Sequence, residues 1–512
     1  MDPGRRDGGH RPLPADAGRR RHPARPAGRP EQGPLRPGPG RGAQADRAQR
    51  TGRHQGERRP VHRSRLRVLT SRSSPARAGR RRSTDRPAAP SHGQTGPLVI
   101  AQTPLGIGLV GHAFMGAAHS HAWRTAPYFF DLPLRPELRV LAGRDPERVA
   151  AAARRLGWAE TETDWRRLVE RDDVDLVDVC TPGDTHAEIA VAALEAGKHV
   201  LCEKPLANSV EEAARMAAAA ERAQARGSRA MVGFTYRRVP AVALARQLVA
   251  EGRVGEIRHV RAQYLQDWIA DADAPMSWRL QKERAGSGAL GDIGAHIVDL
   301  TQHITGQSIS TVTGLMETFV RQRPLADGHG ASLLGGETAS GNGSAPTGEV
   351  TVDDTATFLA RFGGGAVGVF EATRFATGRK NAIRVEVNGT GGSLAFDFED
   401  MNVLQFFDGD DPDRTAGFKR ILVTESTHPW ASAWWPPGHG LGYEHGFTHQ
   451  VVDLVHALAD GRSPQPSFAD GLQVQCVLDA VERSAAEGTW YDVTVPDLHR
   501  LADATTAPTT RT

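Results

Sequence analysis

From Pro104 onward, apolar and polar positions follow two successive rhythms. Leu105–Val110 is a short apolar run that predicts a strand, and Gly111 turns it into a helical pattern through Arg124. Leu138–Ala142 predicts a second strand and Pro146–Leu156 an Ala-rich helix. Leu176–Thr181 predicts a third strand, and His186–Ala196 a helix stopped by Gly197. His199–Cys202 and Ala230–Phe234 predict two more strands, with a long helix over Val210–Arg226 between them. Strands alternating with helices at this spacing predict a doubly wound parallel sheet.

After about residue 253 the rhythm changes. Ile257–Gln266, Thr351–Phe362, Ala366–Arg374, Ile383–Asn388 and Ser393–Asp397 read as strands without intervening helices. Phe362–Gly365 and Gly389–Gly392 are glycine-rich and predict hairpin turns, the first because glycine accepts a positive φ. The fold class expected is α/β followed by α+β: a parallel sheet, then a large, mostly antiparallel open sheet. Gly-, Ser- and Ala-rich residues 323–350 predict a long loop. No internal repeat is visible.

Charge divides the chain differently. The whole carries +3, but residues 1–100 hold 24 Arg, no Lys and 7 Asp+Glu, about +17, which leaves −14 for the remainder. The first lysine is Lys198. Residues 1–98 are Arg/Pro/Gly-rich, without apolar periodicity, and cannot bury a core that offsets chain entropy. No aromatics interleave to suggest nucleic-acid binding, and no apolar stretch follows the Arg pairs to make an export signal. The expectation is a disordered arm, or an upstream mis-reading of a start near Val99. The domains expected are therefore the arm (1–98), the doubly wound domain (99–235), the open-sheet domain (236–498) and a disordered tail (499–512). Cys180, Cys202 and Cys476 are too few and too scattered for a disulfide framework or metal cluster. No apolar run is long enough to span a membrane. A cytoplasmic enzyme without resident metal is expected.

Candidate chemistry sits at the ends of the predicted strands. Gly111-His-Ala-Phe-Met-Gly116 follows the first strand and opens a helix, as a phosphate-binding turn requires: a tight turn, close backbone approach and a helix N-terminus for the anion. Ala113 stands where the dinucleotide fingerprint has its middle glycine, and Gly106-Ile-Gly108 offers a decoy register. Gly143-Arg144-Asp145 ends the second strand, where an acidic residue would hold the ribose 2′-hydroxyl. Arg144 leans the cofactor toward NADP, while Asp145 keeps NAD open and also suits an N-cap.

Glu203-Lys204-Pro205 lies at the carboxyl edge of the sheet, where Lys204 could polarise a reacting hydroxyl. Gly288–Asp299 reads as a helix with an apolar stripe of Ile293, Ile297, Leu300 and Ile304. Beside it run Asp292, His296, Asp299 and His303, which stacks Asp292 on His296. An imidazole backed by a carboxylate suits a general base, and an ordinary solvated helix face is the competing explanation. His119 with His121, and His445 with His449, share helical faces but signal no third metal ligand.

These residues resemble the glucose–fructose oxidoreductase/inositol dehydrogenase/MocA family over residues 104–496. The resemblance is carried by Gly111–Gly116, Thr181-Pro-Gly-Asp-Thr-His186, Ala196–Pro205, Phe234-Thr-Tyr-Arg-Arg238 and the Asp292…His296 segment. Tyr264–Trp268, Ser277-Trp-Arg279, Ala285–Asp292 and Ser467–Gly471 look closer to its levoglucosan dehydrogenase-like and glucoside 3-dehydrogenase-like members. The resemblance implies a Rossmann domain and hydride transfer at a secondary alcohol of a sugar, anhydrosugar, glucoside or inositol. It implies that Lys204 polarises the hydroxyl, His296 takes its proton and Asp292 orients His296. Gly111, Ala113, Phe114, Met115, Gly116, Arg144, Thr181, Pro182, His186, Glu203 and Lys204 would hold NAD or NADP. Tyr236, Arg237, Tyr264, Gln266, Trp268, Trp278, Arg279 and His296 would meet the substrate, with Tyr264, Gln266 and Trp268 alternating along one strand. Thr235 replaces the family's usual Asn.

Two further functions fit the same fold: an NAD-dependent glycosidase working through transient C3 oxidation, and a non-catalytic sugar or dinucleotide sensor. The expected partners are a small sugar or cyclitol and further copies of the chain, as a homodimer or homotetramer, with no nucleic acid and no membrane.

Overall fold

The computed structural model describes residues 102–325 and 346–498. The expected arm, the start near Val99, residues 326–345 of the expected loop and the tail from 499 lie outside the described residues.

The first rhythm folds as β1 (Thr103–Val110), α1 (Phe114–Phe129), β2 (Leu134–Ala142), α2 (Pro146–Leu156), β3 (Glu160–Glu162), α3 (Trp165–Glu170), β4 (Leu176–Val179), α4 (His186–Glu195), β5 (His199–Cys202), α5 (Val210–Ala225) and β6 (Ala230–Val232). The six strands pair in the order β3-β2-β1-β4-β5-β6, every neighbour parallel. This is the expected α/β sheet. Its edge strand β3, three part-exposed residues with no apolar pattern, had no signature to read.

The second rhythm comprises α6 (Pro240–Ala250), β7 (Ile257–Leu265), α7 (Lys282–Ala285), a π-helical turn (Leu290–Gly294) running into α8 (Ala295–Thr305), β8 (Ile309–Glu317), β9 (Gln322–Pro324) and β10 (Thr347–Glu349). There follow β11 (Thr355–Phe362), β12 (Val367–Thr373), β13 (Ala382–Gly389), β14 (Gly392–Asp397), β15 (Val403–Asp408), β16 (Lys419–Leu422), α9 (Tyr443–Ala459), α10 (Phe468–Glu487) and β17 (Tyr491–Asp492). Nine strands form one sheet in the order β16-β15-β14-β13-β7-β12-β11-β8-β17, antiparallel except for β12 beside β7. Alternation buries one face: in β11, Ala356, Phe358, Ala360 and Phe362 are inside. The other face leaves Leu315, Leu359, Val367 and Val369 exposed.

The strand expected from Thr351 begins only at Thr355, because the two preceding carboxylates serve other backbone. Asp353 accepts the amides of Gly288 and Leu290, and Asp354 those of Phe319 and Val320. Both expected hairpins form, but their glycines answer different needs. Gly365 has φ +92°, whereas no residue of 389–392 is left-handed; there a Cβ on Gly389 would meet the Val254 carbonyl oxygen at 2.2 Å.

The helices α6, α9 and α10 were not foreseen. Helix α9 returns to the first sheet: Phe447, Val451, Val452, Leu454 and Val455 join the cluster built by Leu109, Trp123 and Leu141. Among the described residues, no helix is long and apolar enough to cross a membrane.

Candidate active site

The turn after β1 is shaped for an anion. Gly111 has φ +100°, and a Cβ there would meet the Cys180 carbonyl oxygen at 2.6 Å. A Cβ on Gly116 would come within 2.1 Å of the Gly111 carbonyl oxygen, so the first turn of α1 packs directly on the loop. The N-cap is Ala113, which offers no side-chain acceptor, and no acidic residue lies in the first turn. By contrast, α2 and α5 are capped by Asp145 and Ser209. An uncapped helix N-terminus at the carboxyl edge of a parallel sheet fits a pyrophosphate. Phe114 is exposed and stacks on Tyr443 of α9 at 6.2 Å, and Met115 packs into the first core. Gly106 and Gly108 lie inside β1, so the decoy register is strand.

Arg144 is exposed at the end of β2. Asp145 is spent largely on capping, its Oδ1 accepting the Glu147 and Arg148 amides at 3.0 Å each. Thr181 and Pro182 follow β4 at the rim of the crevice. His186 lies beneath that rim, its ring between the main-chain oxygens of Thr181 (2.9 Å) and Pro205 (3.0 Å). Glu203 is also buried. Both were expected to contact the cofactor; in the structure both are buried and engaged by protein atoms.

Beside this crevice, Lys204 reaches from β5 to the π turn of the second module. Its Nζ donates to the Asp292 carbonyl oxygen at 2.8 Å and lies 3.5 Å from Asp292 Oδ1. Arg374 Nη1 approaches Asp292 Oδ2 at 3.7 Å from a fully buried position. Burial alone would raise the Asp292 carboxyl, but the charges of Lys204, Arg279 and Arg374 hold it down at about 2. The expected plain helix is wide at this point. Asp353 pins the amides of Gly288 and of Leu290, the first residue of the π turn, and π turns concentrate at functional sites.

His296 sits one turn on, boxed by Tyr236 at 4.7 Å, Tyr264 at 5.8 Å and Phe234 at 6.1 Å between ring centroids. Burial, then the Lys204 charge, push its imidazole well below the usual value, against an opposing pull from Asp292. Asp292 was expected to orient His296, and no hydrogen bond joins the two. Aromatic rings border the imidazole, and the Asp292 carboxylate faces Lys204 and Arg374.

The expected substrate residues divide. Trp278 carries the Arg279 guanidinium over its ring at 4.3 Å, and Trp268 faces Arg374 at 5.5 Å, giving two aromatic walls near Asp292. Tyr264 and Gln266 are already engaged. The Tyr264 hydroxyl donates to Asn381 Oδ1 (2.7 Å) and meets the Tyr236 hydroxyl (3.0 Å), while Gln266 donates to Asn381 Oδ1 (2.9 Å). Strand β7 stops at Leu265, so Trp268 lies in the loop beyond it and the expected three-residue alternation does not continue. Arg237 is not brought to the cluster. Its Nε donates to both Asp299 oxygens, and its Nη2 lies 3.8 Å from Asp470 Oδ1. Thr235 donates to Gln450 Oε1. His445 receives the Gly442 amide, and His449 lies between Trp434 Nε1 and the Arg238 carbonyl oxygen, so both are structural.

Sequence reasoning missed Arg374, Tyr443 and the pair His119–Asp178. Arg374 continues the inward parity of Phe370 and Ala372, and a cation on an apolar face needs a partner. Asp178 interrupts the apolar strand Leu176-Val-Asp-Val179, and His119 shares a buried helical stripe with Trp123 and Ala126. Those interruptions were the available signals.

Known proteins resemble this chain over both of its rhythms. Residues 105–234 match the model of the oxidoreductase family with an NAD-binding Rossmann fold, and residues 242–395 match the GFO/IDH/MocA C-terminal domain. The chain is 46% identical to levoglucosan dehydrogenase of Pseudarthrobacter phenanthrenivorans over 392 residues, covering 76% of this chain and 98% of that one. A crystal structure of an oxidoreductase domain protein from Kribbella flavida is 68% identical, with TM-score 0.72, over 77% of this chain and all of that one. A levoglucosan dehydrogenase complex with NADH and levoglucosan is 42% identical, with TM-score 0.71 and the same coverage. The chain belongs to the glucose–fructose oxidoreductase/inositol dehydrogenase/MocA family of NAD-binding oxidoreductases.

Proposed function

We propose that this enzyme oxidises a secondary hydroxyl of a neutral sugar, anhydrosugar, glucoside or inositol to the ketone, reversibly. The observation that carries the reading is the reach of Lys204 across the crevice to Asp292, beside His296. Lys204 hydrogen-bonds the reacting oxygen and stabilises charge as it develops. His296, kept neutral by its surroundings, accepts the hydroxyl proton. Asp292 stays ionised and holds the Lys204 amine in place. Trp268 and Trp278 offer faces to sugar C–H surfaces, and Arg279 donates to ring hydroxyls. Bound nicotinamide supplies the acceptor for the hydride leaving the same carbon.

NAD is proposed as the principal cofactor, supported by the NADH-bound relatives, while exposed Arg144 supports acceptance of the 2′-phosphate form. The two-module division at about residue 235 belongs to this proposal, with α9 assigned to the first core. So does a homodimer or homotetramer, supported by the apolar residues on the open sheet face. A cytoplasmic setting accords with three free, buried cysteines.

The test is a panel of sugars, anhydrosugars, glucosides and inositols with NAD and NADP, followed by nicotinamide absorbance. Levoglucosan, the ligand of the relative, leads the panel. Stoichiometric cofactor reduction is expected. Release of an aglycone without net reduction would favour the glycosidase, and binding without turnover would favour a sensor.

A further inference from the structure

We propose that Asp178, His119 and Glu203 form a buried, net-negative charge relay that sets the preference of this enzyme for oxidised over reduced nicotinamide. The inference rests on the dinucleotide reading above and deepens it. Asp178 lies in β4 and Glu203 directly follows β5, on neighbouring strands at the carboxyl edge of the sheet, and Glu203 immediately precedes Lys204. The two adjacent side chains diverge: Lys204 points to Asp292, and Glu203 points back into the first module.

The three groups are 0%, 1% and 4% exposed for Asp178, His119 and Glu203. His119 Nδ1 lies 2.9 and 3.0 Å from the two Asp178 oxygens, and its Nε2 lies 3.0 Å from Glu203 Oε1. Both ring nitrogens face carboxyl oxygens, the arrangement in which a doubly protonated imidazolium donates to one group on each side. Against the cost of burial, the Asp178 charge and hydrogen bond lift the imidazole well above its usual value.

The neighbours close the cluster without adding a full charge. Trp123 Nε1 donates to Asp178 Oδ2 at 2.8 Å, Cys180 Sγ to Asp178 Oδ1 at 3.5 Å, and the Lys204 amide to Glu203 Oε2 at 3.2 Å. The Phe447 ring covers His119 at 5.6 Å, and a Cβ on Gly233 would meet Glu203 Oε1 at 2.6 Å. His119, Asp178 and Cys180 have potential metal-ligand atoms close together, but the space between them is taken up by these hydrogen bonds.

The net of the three groups is one negative charge, fixed and shielded from water. Apolar side chains would fill this space without the desolvation cost of three ions. An oxidised nicotinamide ring is positive and a reduced one is neutral, so a fixed anion beneath the crevice favours the oxidised form. Coulomb's law at an effective dielectric of about 20 makes one uncompensated charge worth roughly tenfold or more in relative affinity at any separation up to about 12 Å.

The test uses the full chain and compares Kd for NADH, from its fluorescence, with Kd for NAD, from competition. Glu203→Gln keeps the shape and removes one charge, and should raise the ratio Kd(NAD)/Kd(NADH) at least about tenfold. Asp178→Asn, farther from the crevice, should raise it less. A second measurement reads His119 directly: ¹⁵N-histidine spectra of the wild type should show, at pH 8, one imidazole protonated on both nitrogens that is missing in His119→Gln. An unchanged Kd ratio in Glu203→Gln, or a neutral His119 tautomer, would overturn the relay. Failure of the wild type to bind either form would overturn the dinucleotide reading and the relay with it.

Discussion

Lys204 Nζ and the Asp292 carbonyl oxygen, 2.8 Å apart, join the end of a parallel strand to a π-helical turn 88 residues away. Main-chain oxygen cannot be protonated, so this anchor keeps the amine in place whatever charge the Asp292 carboxylate bears. The same amine lies 3.5 Å from Asp292 Oδ1, so one side chain reaches both the main chain and the carboxylate of the π turn.

Replacement of His296 by Ala removes the proposed proton acceptor while leaving the phosphate-binding turn untouched. Turnover is expected to fall about 10²–10⁴-fold. The Kd for NADH, measured by fluorescence titration, should stay within about twofold, as the ring makes no part of the cofactor cradle. A variant turning over at the wild-type rate would rule out His296 as the base.

The pH profile follows from the same ring. Oxidation needs the neutral imidazole, and burial together with Lys204 holds its pKa well below 6.5. As pH falls through 6.5, kcat/KM for alcohol oxidation should therefore stay flat and decline only at more acid values. Lys204→Met removes one of the two influences, so the acid limb should move up toward 6.5 while kcat drops. A limb that moves down, or does not move, would contradict the arrangement.

Arg237, expected from sequence to meet substrate, is 10% exposed and forks the 2%-exposed Asp299. Arg237→Ala leaves that carboxylate buried and unpaired, at a cost of about 3–5 kcal/mol in stability. Urea unfolding should show the loss as a lower midpoint, with KM of the surviving folded enzyme little changed. A raised KM at unchanged stability would restore the substrate role.

Arg279 lies over Trp278 at 4.3 Å and hydrogen-bonds to no described residue, so its donors are available to a ligand. Arg279→Ala should cost about 1.5–3 kcal/mol of substrate binding, read as a tenfold or greater rise in KM. Its Kd for NADH should hold. Equal weakening of both would assign Arg279 to the fold of the π turn.

The parallel sheet was legible because five of its six strands carry short apolar runs separated by helical patterns; Pro146–Leu156 and His199–Cys202 match to the residue. Lys204, Asp292 and His296 were legible as strand-end and helix-face chemistry. Their partnerships were not, because spacing along one helix cannot show Arg374 arriving from β12 and taking the carboxylate. The partners of Arg237 were hidden for a similar reason: its motif lies next to Tyr236, which packs on His296, while its own guanidinium turns to α8 and α10. Helices α9 and α10 mix apolar residues with His, Gln and Gly, and so lack a clean stripe.

Helix α9 makes the nucleotide module discontinuous in the gene. A fragment ending near residue 235 would lack the segment that covers Trp123 and His119, and would present that flank of α1 to water. Excising the sheet that precedes α9 and rejoining the chain is the more conservative surgery. The dinucleotide-binding body is thus a composite of the first third of the folded chain and a helix encoded some two hundred codons later.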